Sequence, residues 1–298
     1  MIERCVILKL WMEEVWALAL SQLVDRKLLS RRRARRFLER RSREMEAFLR
    51  GSGIELRSLE IELERLKRAG IEVIPITSPA YPPQLRRLSS APPALFKMGG
   101  CDLIGRSVAI VGTRTPSSEG RRIARELSGL FCRSGFVVVS GLALGVDGEA
   151  HRGAIEVGGV TAAVLGCDLG RIYPPQHRGL ARLIVSRRGA LISEHFEAEP
   201  TPENLIARNR LIAGLAELLV AIEPERGAMS AARFALAQGK PVFILQRLRS
   251  RRSAIRTEDG FYLLNVYRFG SSESLFDLIL RKAREKAAGS LYKRVGVW

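Results

Sequence analysis

The chain has 298 residues, and its 46% hydrophobic content supports a sizeable core and excludes overall disorder. Its 49 lysines and arginines outnumber its 31 aspartates and glutamates, giving a formal charge of +18. That charge predicts an anionic partner, with nucleic acid ahead of an anionic membrane, while a heavily charged protein without such a partner is the alternative.

Residues 1–70 predict a helical N-terminal module. Apolar residues recur at spacings of three and four over residues 34–49, and Gly51 predicts the end of that helix. A second helix is predicted over Leu56–Ala69 and stops at Gly70.

The first of these helices carries a dense run of arginines. The segments Arg31–Arg36 and Arg40–Arg41 place many cations on its solvent side. A nucleic-acid contact is one interpretation. A solvated charged face is the other, because Glu39, Glu44 and Glu46 lie within helical reach of several of these arginines.

Residues 71–106 predict a connecting strand and loop. Ile71–Ile76 is a strand candidate, and Ala94–Phe96 is a shorter one. The prolines at Tyr81–Pro83 and Ala91–Pro93 favour extended or turn segments between them.

Residues 107–271 predict an α/β domain with a Rossmann-like, mostly parallel sheet covered by helices on both faces, because short β-rich runs alternate with helix-length amphipathic runs. The predicted strands are Val108–Val111, Phe136–Ser140, Thr161–Leu165, Ala190–Ser193, Leu218–Ile222 and Pro241–Leu245. The predicted helices are Ser118–Arg133, Val146–Val157, Gln176–Ser186, Asn204–Leu215 and Ala228–Gln238. The basic stretch Arg247–Arg256 predicts a loop, and residues 272–298 predict a last helix, near Ser272–Lys286, and a tail.

Ligands of open parallel sheets bind beyond the carboxyl ends of the strands, and the unusual residues of this chain gather there. After the first core strand, Gly112 allows close backbone approach and Arg114 can hold a phosphate with two parallel hydrogen bonds. Ser117 or Ser118 can cap the next helix, whose exposed N–H groups near Gly120 then predict an anion site. A plain helix cap is the alternative.

The second strand ends in small residues that leave room for a ligand. Ser140, Gly141, Ala143 and Gly145 form this segment, and Asp147 can cap the following helix and fix neighbouring donors.

Further cations follow the later strands. Arg171 comes after the third strand, and the run Arg208-Asn209-Arg210 lies early in a predicted helix, where cations oppose the helix dipole. This placement predicts a phosphate nearby. Structural salt bridges with Glu194 or Glu203 are the alternative.

The cysteines argue against a metal or disulfide framework, because they are scattered without a C-x-x-C pair. They are Cys5, Cys101, Cys132 and Cys167. No uninterrupted apolar run is long enough to span a bilayer. We therefore expect a cytoplasmic protein without a cofactor and without a membrane partner.

Taken in order, these segments resemble the DNA processing protein A family over residues 107 to about 245. The matching segments are Val111-Gly112-Thr113-Arg114, Ser140 to Asp147 with Ala150-His151, Tyr173-Pro174, Ser193-Glu194, Arg208-Asn209-Arg210, and Glu223 with Gly227-Ala228-Met229. Upstream, Tyr81-Pro82, Pro92 and Leu95-Phe96 match as well.

The resemblance implies a core that binds single-stranded DNA without catalysing a reaction. It implies that this core shields incoming strands and helps load a RecA-type recombinase in natural transformation, and that the protein is a homodimer. Phosphate contacts are implied for Arg114, Arg208 and Arg210, and close-approach backbone for Gly112, Ser140, Gly141 and Gly145.

The sequence departs from the family pattern at three places. These departures leave open whether the far edge of the predicted ligand pocket, and the dimer contacts near it, are as in the family. Arg226-Gly227-Ala228 replaces Ser-Gly-Ser, Gln246-Arg247 replaces Pro-Gly, and Leu205-Ile206 replaces Phe-Pro. Two other functions stay open on the same fold. One is a nucleotide phosphoribohydrolase, which needs a Pro-Gly-Gly-x-Gly-Thr loop that this chain lacks, and the other is a nucleotide-sensing module.

Overall fold

Mostly apolar runs of three to six residues supply the strands of one large sheet. The computed structural model describes residues 2–40, 43–246, 254–257, 259–265 and 269–295. The strands in these ranges are β1 (Ile71–Pro75), β2 (Ala94–Gly99), β3 (Ser107–Gly112), β4 (Val137–Ser140), β5 (Thr161–Val164), β6 (Ala190–Ser193), β7 (Leu218–Ile222), β8 (Val242–Gln246), β9 (Ala254–Arg256) and β10 (Tyr262–Asn265).

The helices lie before, between and after these strands. They are α1 (Ile2–Asp25), α2 (Arg31–Arg40), α3 (Arg43–Gly51), α4 (Leu56–Arg68), α5 (Pro83–Arg86), α6 (Ser118–Arg133), α7 (Val146–Glu156), α8 (Arg178–Ser186), α9 (Pro202–Ala207), α10 (Asn209–Leu215), α11 (Arg226–Ala237) and α12 (Ser272–Val295). A single 3₁₀ turn, Pro175–His177, leads into α8.

The ten described strands lie in the order β1-β2-β6-β5-β4-β3-β7-β8-β10-β9. The run from β6 to β8 is parallel throughout, whereas the β1–β2, β2–β6 and β9–β10 pairs are antiparallel. This confirms the predicted α/β class with a mostly parallel sheet. The chain builds outward from β3 to β6 and then returns to the other side of β3 at β7, so the strand order reverses between β3 and β7.

The central strand β3 is buried on both faces. Val108 and Ile110 pack into an apolar cluster with α6, α7 and α12, while Ala109 and Val111 pack into a second cluster with α10, α11 and the N-terminal helices. Burial on both faces explains why the strands read as continuous apolar runs rather than as an alternating pattern. The sheet also crosses the predicted boundary between residues 106 and 107, because β2 pairs with β6.

Two predicted helices are interrupted in the structure. The helix predicted over residues 34–49 forms as α2 and α3, with residues 41–42 outside the described ranges. The helix predicted at Asn204–Leu215 forms as α9 and α10, which meet at Arg208. Thr201 caps α9 by accepting a hydrogen bond from the N–H of Asn204 at 3.2 Å, so this segment begins earlier than predicted.

The loop predicted over Arg247–Arg256 is wrong at its end. Residues 254–256 form β9, which pairs with β10, a strand that the sequence analysis missed. Arginines conceal β9 in the sequence, because Ala254 and Ile255 are its only apolar residues and stand within a basic stretch. β10 lies in the apolar run Phe261–Leu264, which was overlooked. The remainder of that predicted loop, residues 247–253, lies outside the described residues.

Candidate anion-binding cleft

A cleft of about 790 Å³ lies beyond the carboxyl ends of β3 and β7, where the strand order reverses. Its walls include Val111–Arg114 after β3, Ala143 and Asp147 after β4, residues of α9 and α10, and the first turn of α11. The general rule for open parallel sheets therefore locates this cleft from topology alone.

Arg208 lies in the wall of the cleft and is only 6% exposed. Its Nη1 donates to the carbonyls of Gly141 at 2.6 Å and Val164 at 2.5 Å, and its Nε donates to that of Leu205 at 3.3 Å. Burial lowers the pKa of Arg208, and the nearby carboxylate of Asp147 opposes that effect. No carboxylate of the described chain forms an ion pair with Arg208, so its guanidinium is a fixed positive charge held by neutral carbonyl groups.

Asp147 is buried in the first turn of α7, and its side chain binds the backbone of the loop before that helix. Its Oδ2 accepts hydrogen bonds from the N–H groups of Gly141 at 3.0 Å and Ala143 at 3.4 Å. Burial raises the pKa of Asp147, and Arg208 and these two N–H groups counteract the rise. The carboxylate therefore fixes the N–H donors of the loop that follows β4, as predicted. It does not cap α7 as the sequence also predicted, because the N-cap of that helix is Gly145 and has no side-chain hydrogen bond.

Arg114 is exposed at the edge of the cleft and makes no ion pair with any residue that the structure describes. Its nearest acidic candidate in the sequence, Glu119, instead pairs with Arg122 at 2.7 Å. Arg114 and Arg208 line one small pocket, and the charge of Arg114 adds to the lowering of the Arg208 pKa, which burial mainly causes. Arg114 and Arg208 thus line the same cleft, and neither forms an ion pair with a carboxylate of the described chain.

The N-terminus of α6 is occupied by a carboxylate of the protein itself, that of Glu223. The N–H of Ser117 donates to Glu223 Oε2 at 2.8 Å, and the Ser117 hydroxyl forms a very short contact with the other carboxylate oxygen. A Cβ on Gly120 would overlap that carboxylate. Ser117 caps α6, as the alternative interpretation had it, and neither it, Ser118 nor Gly120 lines the cleft.

The predicted close-approach residues make room for the protein itself. A Cβ on Gly112 would overlap the side chain of Val146. Gly145 has a φ of +76° and lies against the backbone of Arg114, where any Cβ would collide. Ser140 is fully buried, and its hydroxyl donates to a carbonyl of β3 at 2.6 Å. These residues hold the walls of the cleft together.

Two of the predicted phosphate-binding arginines lie in ion pairs. Arg210 is buried, and its Nη1 and Nη2 lie 2.5 and 2.6 Å from the carboxylate oxygens of Glu194. Arg171 is exposed and pairs with Asp168 at 2.8 Å and Glu199 at 2.5 Å. Neither arginine lines the cleft, so the structural salt bridge that the sequence left open for Arg210 is the arrangement found here.

Arg226 is a cleft residue that the sequence analysis did not propose. It is the first residue of α11, it is exposed, and it has no ion-pair partner in the described ranges. Asn209 also lines the cleft and ties this turn in place, because its Nδ2 donates to the carbonyl of Gly227 at 3.1 Å. The signal in the sequence was the replacement of Ser-Gly-Ser by Arg226-Gly227-Ala228.

Apolar side chains stand close to the two cations. Leu144 and Tyr173 are 36% and 37% exposed, and with Leu205 they line a small pocket that also includes Arg114 and Arg208. A ligand that carries both negative charge and flat apolar groups matches such a surface.

The described ranges hold no group of three or more His, Cys, Asp or Glu side chains that could bind a metal ion. Among those same residues, no helix combines the length and apolar character needed to cross a membrane.

A family model described as DNA recombination-mediator protein A matches residues 72–257 of the chain. The chain is 39% identical over 197 residues to Protein Smf of Escherichia coli, covering 63% of this chain and 52% of that protein. It is 37% identical over 186 residues to the DNA processing protein DprA of Bacillus subtilis, covering 61% of this chain and 62% of that protein. The chain thus spans about half to three fifths of the length of these relatives.

Solved structures show the same fold. DNA processing protein A of Streptococcus pneumoniae is similar with a TM-score of 0.60 and 25% identity, covering 81% of this chain and 86% of that one. The Helicobacter pylori protein, whose structure is described in terms of its single-stranded DNA binding mode, is similar with a TM-score of 0.57 and 25% identity, covering 72% of this chain and 97% of that one.

Proposed function

The chain belongs to the DNA recombination-mediator protein A family, and we propose on that basis that it binds single-stranded DNA in the cleft between β3 and β7. The observation that carries the proposal is the pair Arg208 and Arg114. The first is a buried cation without a carboxylate partner, and the second is an exposed cation in the same cleft. Consecutive phosphates of a nucleic acid supply ion-pair partners for these two cations. The carboxylates that line the cleft, those of Asp147 and Glu225, already accept hydrogen bonds from backbone N–H groups and from the Thr113 hydroxyl.

The apolar residues beside the cleft favour a single strand over a duplex. Bases of a duplex are stacked and paired, whereas bases of a single strand can contact apolar surfaces such as those of Tyr173, Leu144 and Leu205. Contacts to phosphates and to the faces of bases carry little sequence information, so we expect weak dependence on sequence.

The relatives support a wider role that we also propose for this chain. Proteins named for DNA processing match most of the α/β domain, and a similar structure is described as binding single-stranded DNA. We infer that the chain protects single strands and helps load a RecA-type recombinase during DNA uptake and recombination, and that it acts as a homodimer. We expect the protein to act by binding, without a catalysed reaction, in the cytoplasm.

The decisive experiment is a titration of the full chain with labelled oligonucleotides at two salt concentrations. A single strand, its duplex and a nucleoside monophosphate competitor are compared. We expect the single strand to bind most tightly, with affinity falling steeply as salt increases and rising with oligonucleotide length. Equal or tighter binding of the duplex contradicts the proposal, and saturation by the monophosphate alone supports a nucleotide sensor instead.

A further inference from the structure

Three arginines of α2 lie four residues apart on one exposed face of the helix. They are Arg32, Arg36 and Arg40, and we call them the α2 stripe. The acidic residue of α2, Glu39, forms an ion pair with Arg35, whose Nε lies 2.7 Å from its carboxylate. No residue in the described part of the chain forms an ion pair with the stripe.

This arrangement is unfavourable for an isolated helix. Like charges four residues apart repel each other on a helix surface. The first turn of α2 contains arginines and no acidic residue, so it also opposes the helix dipole. A bound polyanion relieves both effects, whereas a merely solvated face leaves them in place.

The stripe begins beside the cleft. Lys27 in the turn before α2 lies 3.5 Å from Glu203 in the first turn of α9, and Ile206 of the same helix lines the cleft. A surface groove of about 520 Å³ borders this turn and includes Lys27, Arg32 and Leu28. Leu28 is 62% exposed there, which provides an apolar contact between cations.

We propose that the α2 stripe and this groove form a second contact surface for single-stranded DNA, which receives the strand as it leaves the cleft past α9. The inference rests on the proposed function and extends it to the helical N-terminal module. Four helical residues rise about 6 Å, a separation comparable to that of neighbouring phosphates in an extended strand. Leu28 is exposed in the same groove and is placed to contact the face of a base.

The test compares two oligonucleotide lengths on the full chain. The triple variant R32Q/R36Q/R40Q keeps good helix formers in place and removes three charges. A short strand of about 6 nucleotides is expected to fill only the cleft, and a strand of about 30 nucleotides to reach the stripe as well. We expect the triple variant to lose at least about tenfold in affinity for the long strand, to keep its affinity for the short one, and to show a salt slope smaller by about 2.

The matched control is R182Q/R187Q/R281Q, which removes three exposed arginines without ion pairs among the described residues from α8, its end and α12. An equal loss in both triple variants means a general charge effect and overturns the extension. A stripe variant that binds the long strand like the wild type also overturns it. A wild type that binds neither strand overturns the proposed function itself. Thermal melting verifies that both variants fold.

Discussion

Arg208 and Asp147 hold Gly141 from its two sides without pairing with each other. Nη1 of Arg208 donates to the Gly141 carbonyl at 2.6 Å, and the Gly141 N–H donates to Oδ2 of Asp147 at 3.0 Å. The two charged groups therefore fix the loop after β4. The Arg208 guanidinium forms no ion pair in doing so and remains a cation in the wall of the cleft. Fixing the loop before a ligand arrives reduces the conformational entropy lost on binding.

Arg114→Ala is expected to weaken binding of single-stranded DNA by about 1.5–3 kcal/mol, the range for a hydrogen bond to a charged group. The salt dependence should lose about one phosphate contact. Stability should change little, because Arg114 is exposed and has no ion-pair partner in the described chain. Fluorescence titration and thermal melting measure the two effects.

Two further variants sharpen this result. Arg114→Lys should recover only part of the loss, because a point charge does not reproduce the two-pronged geometry of a guanidinium. Arg121→Ala, which removes an equally exposed arginine from α6, should leave the affinity unchanged. A strong fall in melting temperature for Arg114→Ala with intact DNA affinity would mean that Arg114 is structural.

Arg210→Ala should show the opposite pattern. It removes the bidentate partner of the buried Glu194, which we expect to cost about 3 kcal/mol in the free energy of unfolding. The folded fraction should bind DNA with wild-type affinity, because Arg210 does not line the cleft. Denaturant unfolding and binding at low temperature separate the two quantities. Loss of affinity with retained stability would restore Arg210 as a phosphate contact.

The lowered pKa of Glu194 allows a prediction of how the free energy of unfolding depends on pH. Burial alone would raise the pKa of Glu194, but Arg210 and Arg31 outweigh it and lower the pKa from 4.5 to about 2. A carboxyl group with a depressed pKa stabilises the folded state above its ordinary pKa and loses that contribution as the pH falls through the folded value. Glu194→Gln should therefore cost about 3 kcal/mol at neutral pH, and the deficit should shrink between pH 4.5 and 2.

Urea unfolding at a series of pH values measures this difference. Glu199→Gln is the matched control, because Glu199 pairs with Arg171 on the surface, where its side chain is 64% exposed. We expect a small deficit for the control at every pH. A deficit of Glu194→Gln that stays constant down to pH 2 would show that the ion pairs do not depress this pKa.

We expect no turnover of nucleoside monophosphates or of DNA. The carboxylate of Glu194 is held by two arginines, and that of Asp147 accepts two backbone N–H groups, so neither is free to act as a general base. Chromatography of overnight incubations measures any product. Turnover that disappears in Asp147→Asn or Glu194→Gln would identify an enzyme.

Topology and strand-end chemistry were predictable because they follow from local patterns. Apolar runs marked the strands of the parallel sheet, and the strand-end rule placed Arg114 at the cleft. The roles of Arg208 and Arg210 were not separable, since two arginines two residues apart look alike in a sequence. The break between α9 and α10 directs one toward carbonyls of the β4 loop and the other toward Glu194.

Long-range side-chain contacts explain the other differences. The N-terminus of α6 resembled an anion site, but Glu223 fills it from 106 residues away. No spacing pattern reveals such a partner, because the fold alone brings the two segments together. Arg226 was noted in the sequence only as a departure from the family pattern, since the fold alone brings the start of α11 into the same cleft as Arg114.

Gly141→Ala tests the cleft without changing its charge. A Cβ at this position would overlap the guanidinium of Arg208, so the side chain must leave the carbonyls that hold it. We expect a loss of about 1–3 kcal/mol in stability from overpacking and about a tenfold loss in affinity for single-stranded DNA, with an unchanged salt slope.

Gly227→Ala is the matched control for this substitution. Gly227 lines the cleft, but a Cβ there meets no atom within 4 Å, so both affinity and fold should be retained. Its position in the first turn of α11 even allows a gain of up to about 1 kcal/mol in stability. If Gly141→Ala is destabilised yet binds DNA as tightly as Gly227→Ala, the position of the Arg208 guanidinium does not determine affinity. The phosphate contacts would then belong to the exposed arginines of the cleft, whose side chains this substitution leaves in place.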